Sequence, residues 1–551
     1  MSGRFRAGIA GMVGAVVAFG VAELVHGLLY ESVPSVFASL VQGVIELTPG
    51  ELVTRGIEIL GTADIPILIS SMIIGALLVA ALLANIALRS PIVALIGVAI
   101  LGSIAAAATL AQPFAAPVPT VLTIAGALAA GATITELLLR TAGLRVPTVS
   151  EPSDVPSPVV RSREAYSSGG TAVGRRGFLL LGGGAAVAGL AALGAGRLLA
   201  GRSAQATSAP KPLKLPKSSN QASKQEEGKG GGKEAVKHET LPPPPEEASI
   251  EAPGMPRLIT PASSFYLIDT ALTSPRIDVN AWKLSVKGAV DNPIELSYKD
   301  LLSMSTREAD ITLSCVSNTV GGGLVSNGRW TGVLLSDVLA EAGVGRDKIT
   351  RSNMQLVGRS VDGFTTGFRT EIGLDGREAL VAFGLNGSEL PLKHGYPVRL
   401  VVPGLYGYVS ATKWLTEIEL TNWDFDAYWI QRTWSKVGPI KTQSRIDTVN
   451  DGDQLSTGKT PIGGIAWAPH RGIERVQVST DGGETWNEAR LAGQLDIDSW
   501  RQYVYDWDAK PGEYTLMVRA TDGTGETQTA AIAPPHPSGA TGYHTIGVTV
   551  V

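Results

Sequence analysis

The sequence predicts a multi-domain chain. An N-terminal all-α transmembrane bundle of about five helices comes first, then an α+β domain, then an immunoglobulin-like β-sandwich. Three observations carry this. Five long, nearly uncharged apolar stretches crowd into the first 200 residues. Residues 202–256 are rich in Ser, Lys, Glu, Gly and Pro and poor in aromatics. From 257 onward mixed α and β patterns appear, and from about 440 only short alternating runs broken by turn residues. A length of 551 residues suits three or four domains at ~150 residues each. Mean hydropathy is +0.17 although 17% of residues are charged, as expected when apolar segments are joined to an ordinary soluble region.

The apolar stretches run over about 7–30, 66–88, 91–112, 118–139 and 178–200 within a region of 1–200. Each has roughly the 20 residues that carry a helix across ~30 Å of hydrocarbon. Basic residues gather in alternate loops. Arg4 and Arg6 precede the first span, Arg89 follows the second, and Arg140, Arg145, Arg161, Arg163, Arg175 and Arg176 lie between the fourth and fifth. By the positive-inside rule these loops face the cytoplasm. The expectation is a multi-pass plasma-membrane protein whose residues after 200 are extracytoplasmic. The stretch GRRGFLLLGGG (174–184) resembles a twin-arginine export signal, with Gly174 where Ser or Thr is usual and no Lys after Leu179. Ordinary positive-inside flanking is the alternative. Glu23 and His26 share one face of the first span, and the favoured reading solvates both near the outer interface. His26 is the sole histidine in the spans, which excludes a bis-histidine haem between helices of this chain.

Residues 201–256 read as a disordered linker, because their composition buries too little apolar area to offset ordering entropy. Beyond it, 257–440 reads as the α+β domain and 441–551 as the sandwich. Ile311 to Cys315 is a short strand that ends at the chain's one thiol. WTGVLLSDVLAEAG (330–343) has apolar residues at helical spacing, and PVRLVVPG (397–404) reads as a buried strand. VQVSTDGGETW (476–486) carries a hairpin signal and YTLMVRATDG (514–523) alternates.

Composition closes several function classes. Net charge is −4, so no bulk basic signal points to nucleic acid. A single cysteine forbids an intrachain disulfide. Zinc-ligand spacing and recognisable haem or iron–sulfur ligand sets are lacking. Cys315 sits where a strand gives way to a loop, a frequent place for functional side chains. A small buried core residue is the plain alternative.

Three stretches decide between these. FYLIDTALTSPRIDVNAWKLSVKGAV (265–290), TLSCVSNTVGGGLVSNGRWTGVLLSDVL (312–339) and KHGYPVRLVVPGLYGYVSATKWLTEIEL (393–420) resemble the sulfite oxidase family of molybdopterin enzymes. The likeness covers about 257–551. It implies an oxidoreductase with a molybdenum–molybdopterin cofactor, in which Cys315 is the single protein ligand to the metal. A thiolate is a soft donor suited to that role. The resemblance further implies that Tyr266, Asp362, His394, Arg399, Ala411, Thr412 and Lys413 bind the cofactor. Arg399 offers a planar fork for its phosphate, and Lys413 adds a compact charge. Tyr428 is the candidate for handling a proton near the metal, with a packed aromatic as the alternative. The C-terminal domain would make a homodimer. Other expected partners are the membrane, a small-molecule substrate and an unidentified redox partner.

The family name suggests sulfite, and the sequence argues against it. Sulfite-oxidising members carry arginines soon after the cysteine motif and after the first aromatic pair. Here those places hold Thr319 and Val320, and Leu267, Ile268 and Asp269. The expected activity is oxygen-atom transfer on a substrate other than sulfite. Alternatives are a reductase of S-oxides or N-oxides fed from the membrane and, in another class, a cofactor-free membrane sensor or adhesion protein.

Overall fold

In the computed structural model the described residues are 3–50, 63–112, 114–144, 175–208 and 237–551, with positions 52, 55, 56 and 60. They divide into two compact units, Met1–Thr207 and Ser208–Val551. Most of the twin-arginine-like motif lies among the described residues from Arg175, while Gly174 and the linker segment 209–236 lie outside them.

The first unit is all helical. It contains α1 (Gly3–Leu28), α2 (Val36–Leu47), α3 (Asp64–Ala87), α4 (Pro91–Leu110), α5 (Pro117–Thr141) and α6 (Arg175–Ser208). Five of these are long and apolar enough to cross a membrane, α2 being the exception. Proline opens α4 and α5, where its missing N–H costs nothing and its fixed φ suits a helix start. The short helix α2 lies between the first two apolar stretches, where the sequence reading expects no span. Ser35 caps it, its hydroxyl oxygen accepting from the Ala38 N–H at 3.1 Å.

Glycines let the helices touch backbone to backbone. A Cβ on Gly14 would lie 2.6 Å from the Gly131 carbonyl oxygen of α5. Cβ atoms on Gly20 and Gly27 would lie 2.2 and 2.4 Å from the carbonyl oxygens of Gly189 and Gly196 of α6. Small residues at such crossings let the backbones approach closely and maximise van der Waals contact. Glu23 and His26 differ from expectation, being only 3% and 5% exposed. The Ser35 hydroxyl donates to Glu23 Oε1 at 2.6 Å, and His26 Nδ1 lies 2.7 Å from the Val33 carbonyl oxygen. Each therefore ties α1 to the turn and cap of α2 rather than meeting solvent.

The second unit opens with β1 (His238–Glu239), β2 (Lys283–Gly288), β3 (Ile294–Ser297), β4 (Thr306–Ser314), β5 (Val325–Leu334), β6 (Gln355–Ser360), β7 (Thr365–Arg369), β8 (Leu380–Leu385), β9 (Ser388–Glu389), β10 (Arg399–Val401) and β11 (Leu415–Thr421). Short helices α7 (Tyr298–Leu302), α8 (Leu335–Glu341) and α9 (Gly407–Ser410) lie among them. One sheet has the order β1-β4-β5-β8-β10, with β9 beside β8, and a second has β3-β2-β11-β6-β7. This is the expected α+β architecture. The helical reading of 330–343 is corrected at its start. Residues 330–334 end β5, paired with β4 and β8 through Trp330↔Ala309 and Val333↔Val381. Sheet pairing on both sides outweighs the 3.6-residue periodicity there.

The C-terminal part contains β12 (Gln443–Ile446), β13 (Gln454–Leu455), β14 (Gly458–Trp467), β15 (Ile473–Ser479), β16 (Asn487–Glu488), β17 (Arg490–Leu491), β18 (Arg501–Ala509), β19 (Gly512–Asp522) and β20 (His544–Val550). They form two sheets, β12-β14-β18-β17 and β13-β20-β19-β15-β16. Ile462, Tyr503, Val476, Val518 and Ile546 share the core between them.

The disordered reading of the linker is corrected over 237–256. β1 pairs parallel with β4 through His238↔Thr306. The Ile250 N–H donates to Gln502 Oε1 at 2.6 Å, and Ala248 is buried. Two or three apolar side chains and an edge-strand pairing order this stretch despite its polar composition.

Candidate active site

Cys315 follows the last residue of β4, so the strand delivers the thiol to the edge of a sheet. The loop beyond it is closed on itself. The Cys315 N–H donates to the Leu324 carbonyl at 2.9 Å, and the Leu324 N–H donates to Asn318 Oδ1 at 2.8 Å. The residue is 9% exposed. Burial pushes its thiol up, while the backbone N–H and hydroxyl of Ser317 and then the Lys413 charge pull it back. The site thus carries donors that favour a thiolate and a desolvation cost that a bound metal ion would remove.

Arg399, the first residue of β10, is 3% exposed. Its guanidinium donates to the carbonyls of His394 (3.1 Å) and Leu400 (3.4 Å) and lies 5.0 Å from the Trp330 ring centroid. Among the described residues it forms no ion pair. Burial pushes it down to about 10, opposed by Tyr266 and Asp269. A buried guanidinium lacking a carboxylate is costly unless an anion completes it.

Lys413 precedes β11, and its ammonium donates to Asp269 Oδ1 at 2.6 Å, to the Lys393 carbonyl at 3.0 Å and to the Ile268 carbonyl at 3.2 Å. Burial takes it down to about 8, with Asp269 opposing. His394 Nε2 lies 3.0 Å from the Ala262 carbonyl oxygen. A carbonyl only accepts, so Nε2 bears the hydrogen and Nδ1 is left as an acceptor. Burial, then Arg399 and Lys413, hold the ring down at about 4, so it stays neutral at neutral pH.

Tyr266 is electrostatically coupled to both Cys315 and Arg399, and burial raises its phenol well above the usual range. Its N–H is held by Ser326 Oγ at 3.1 Å. The backbone at Ala411, Thr412 and Lys413 is fixed from below. The Ala411 N–H donates to the Gly407 carbonyl at 2.9 Å, Leu400 N–H donates to Thr412 O at 2.9 Å, and the Thr412 and Thr366 hydroxyls are 2.7 Å apart. Trp414 follows with φ 49, a left-handed conformation that costs a non-glycine residue energy and clusters at functional sites. Asp362 caps its own turn, Oδ1 accepting from the Phe364 N–H at 3.1 Å, within electrostatic reach of Lys413.

Cys315, Tyr266, His394, Arg399, Lys413 and Asp362 therefore converge. Tyr428 has a different setting. It packs against Phe364 and Trp429 at 5.5 and 5.3 Å, and the Arg432 guanidinium lies 3.7 Å from its ring centroid. A phenol absent from the sequence reading, Tyr406, is coupled to Cys315 and pushed up to about 12, mainly by burial. Asp269 was placed from sequence only at a position where sulfite-oxidising members carry positive charge, and its pairing with Lys413 had no local sequence signal. The donor set fits a molybdopterin: a thiol at a strand end, a buried guanidinium lacking an anion, a second buried cation and a neutral imidazole acceptor.

Known proteins share the two domains that carry this site. Residues 271–429 match the oxidoreductase molybdopterin binding domain, and residues 436–533 match the Mo-co oxidoreductase dimerisation domain. Mitochondrial sulfite oxidase of Rattus norvegicus is 30% identical over 335 residues, covering 53% of this chain and 60% of that protein. An NADH nitrate reductase of Brassica napus is 28% identical over 298 residues, covering 44% of this chain and 32% of its own. The chain thus spans three fifths or less of these two relatives. Among solved structures, the sulfane dehydrogenase SoxCD from Paracoccus pantotrophus is 24% identical with a TM-score of 0.47, over 56% of this chain and 86% of that chain. With both domain types in tandem and sulfite oxidases among its relatives, the chain carries a molybdopterin-binding oxidoreductase domain of the sulfite oxidase type, followed by a Mo-co dimerisation domain.

Proposed function

We propose that this oxidoreductase is anchored in the plasma membrane by its apolar helices, with the second unit extracytoplasmic. It transfers an oxygen atom to or from a small substrate that is neutral or weakly charged. The C-terminal domain is read as an immunoglobulin-like sandwich that pairs two copies. When bound, molybdopterin supplies the two-electron, oxygen-transferring centre. The chain's own residues do the rest. Cys315 Sγ would ligate the metal with Ser317 supporting the thiolate, and Arg399 and Lys413 would hold the phosphate. His394 Nδ1 would be the acceptor offered to the pterin, and the Ala411–Lys413 backbone would border it. Tyr266 and Tyr406 keep their protons and are placed to donate hydrogen bonds beside Cys315.

The carrying observation is the placement of positive charge. Arg329 is engaged by Asp310 at 2.7 Å, Arg369 lies over the Trp423 ring at 4.6 Å, and Lys413 is paired with Asp269. The loop after Cys315 offers Thr319 and Val320. A small dianion such as sulfite needs clustered cations, whereas Arg329 and Lys413 are paired with carboxylates, Arg369 lies on an aromatic ring and Arg399 is assigned to the cofactor's phosphate. The same balance favours a second reading, reduction of S-oxides or N-oxides with electrons from the membrane. Steady-state kinetics of the cofactor-loaded chain with sulfite and a dye acceptor test the substrate. The expected kcat/KM lies below the ordinary enzyme range of ~10⁴–10⁸ M⁻¹s⁻¹, and a value inside it overturns the proposal. Dye donors with S-oxides then fix the direction of electron flow.

A further inference from the structure

The two buried cations of the site differ in their partners. Arg399 donates to main-chain carbonyls and lies on Trp330. Lys413 has three oxygen partners, and Asp269 is the charged one. Both side chains of that pair are largely withdrawn from solvent, at 12% and 15% exposure. Asp269 also lies within electrostatic reach of Arg399 and Asp362. An ammonium meets a carboxylate and a phosphate in the same way, as charge-assisted N–H···O bonds to an anionic oxygen.

Charge balance separates the two occupants. A phosphate monoester carries about −1.5 to −2. Against Arg399 and Lys413 it is balanced by itself, and with Asp269 still in place the anions outweigh the cations. Beyond the anchored Phe265 and Tyr266, the two residues that lead to Asp269 bury little apolar surface, Leu267 and Ile268 being 42% and 46% exposed. Little apolar burial opposes its movement.

We propose that Asp269 stands in for the cofactor's phosphate on Lys413. It holds the ammonium before the cofactor arrives and is displaced when the phosphate binds. The inference rests on reading Arg399 and Lys413 as the phosphate ligands. Asp269 is then a positioning residue for cofactor uptake, and it sets how readily the empty site accepts competing anions.

Titration calorimetry of the full chain, purified in detergent without cofactor, tests this with inorganic phosphate at fixed ionic strength. Asp269→Asn keeps an acceptor oxygen for Lys413 and removes the charge. It should bind phosphate at least about tenfold more tightly than wild type, the scale of removing one like charge from a buried site. Arg399→Ala should weaken phosphate binding in either background. If Arg399→Ala binds phosphate as wild type does, the phosphate-ligand reading fails. If Arg399→Ala weakens binding while Asp269→Asn leaves it unchanged, the stand-in role alone fails. A second measurement needs no substitution. In a crystal structure of the cofactor-loaded wild type, Lys413 Nζ and Asp269 Oδ1 should stand beyond about 4 Å, the limit of an ion pair. Retention of the 2.6 Å contact beside a bound phosphate overturns the proposal.

Discussion

Cys315→Ser replaces a soft thiolate with a hydroxyl, a poor donor for a thiophilic metal site. Molybdenum content and turnover should fall together. Pterin, held by Arg399, Lys413 and His394, should largely stay, as read by fluorescence of its oxidation product. Full activity in this variant rules Cys315 out as ligand. His394 gives a pH signature in the cofactor-free protein. Its folded value of about 4 lies below the ordinary 6.5, so the unfolded chain binds the proton more readily. Its contribution to stability is complete above pH 6.5 and is lost as pH falls toward 4, a change on the order of 3 kcal/mol. Urea unfolding of His394→Asn should show a flatter slope across that window, and an unchanged slope refutes the assignment. Single residues were legible where family motifs name them, as with Cys315, Arg399 and Lys413. Asp269 was legible as a charge and illegible as a partner, because Lys413 lies 144 residues away.

The loop that leaves Cys315 is packed against the C-terminal domain. Gly321 has φ +75, and a Cβ there would stand 2.2 Å from His544 Cδ2. Arg445 Nη1 donates to the Gly322 carbonyl at 2.7 Å. Gly321→Ala should destabilise the chain by roughly 1–3 kcal/mol, through the left-handed φ and the displaced ring. It should also broaden the metal's spectroscopic signature, since the same loop positions Cys315. Thermal unfolding within about 0.5 kcal/mol of wild type contradicts this packing role. Strand ends and turns were readable from alternation and Asp-Gly pairs, as in β15 and β19. β1 was not, because two residues of strand against β4 have no periodicity to detect. Residues 330–334 misled, since Leu334, Leu335, Val338 and Leu339 satisfy a helix pattern while Trp330 and Val333 also fit a strand.

At the scale of the whole molecule, the long apolar helices were the most legible part, because length and the absence of charge suffice to mark a helix able to span a membrane. The buried setting of Glu23 and His26 escaped, since it depends on α2 folding back on α1. Reporter fusions test the orientation drawn from the arginines. Fusions after Arg89 should read as cytoplasmic and those after Gly201 as external, and a cytoplasmic reading at Gly201 removes the extracytoplasmic assignment. The glycine contacts bear on the same question without any charge. Gly20 meets Gly189 and Gly27 meets Gly196, so the contact advances seven residues on each helix and α1 and α6 point the same way. Gly14 meets Gly131, while Gly3 meets Leu144, so α5 points the opposite way. Parity follows from these directions. For helices that all span a membrane, two co-directional members separated by other full crossings require an odd total, so such a chain would enter α1 on one face and leave α6 on the other. A short amphipathic detour such as α2 leaves that parity unchanged. Inverting the arginine signal by mutation would therefore have to turn the whole bundle over rather than drop a single helix.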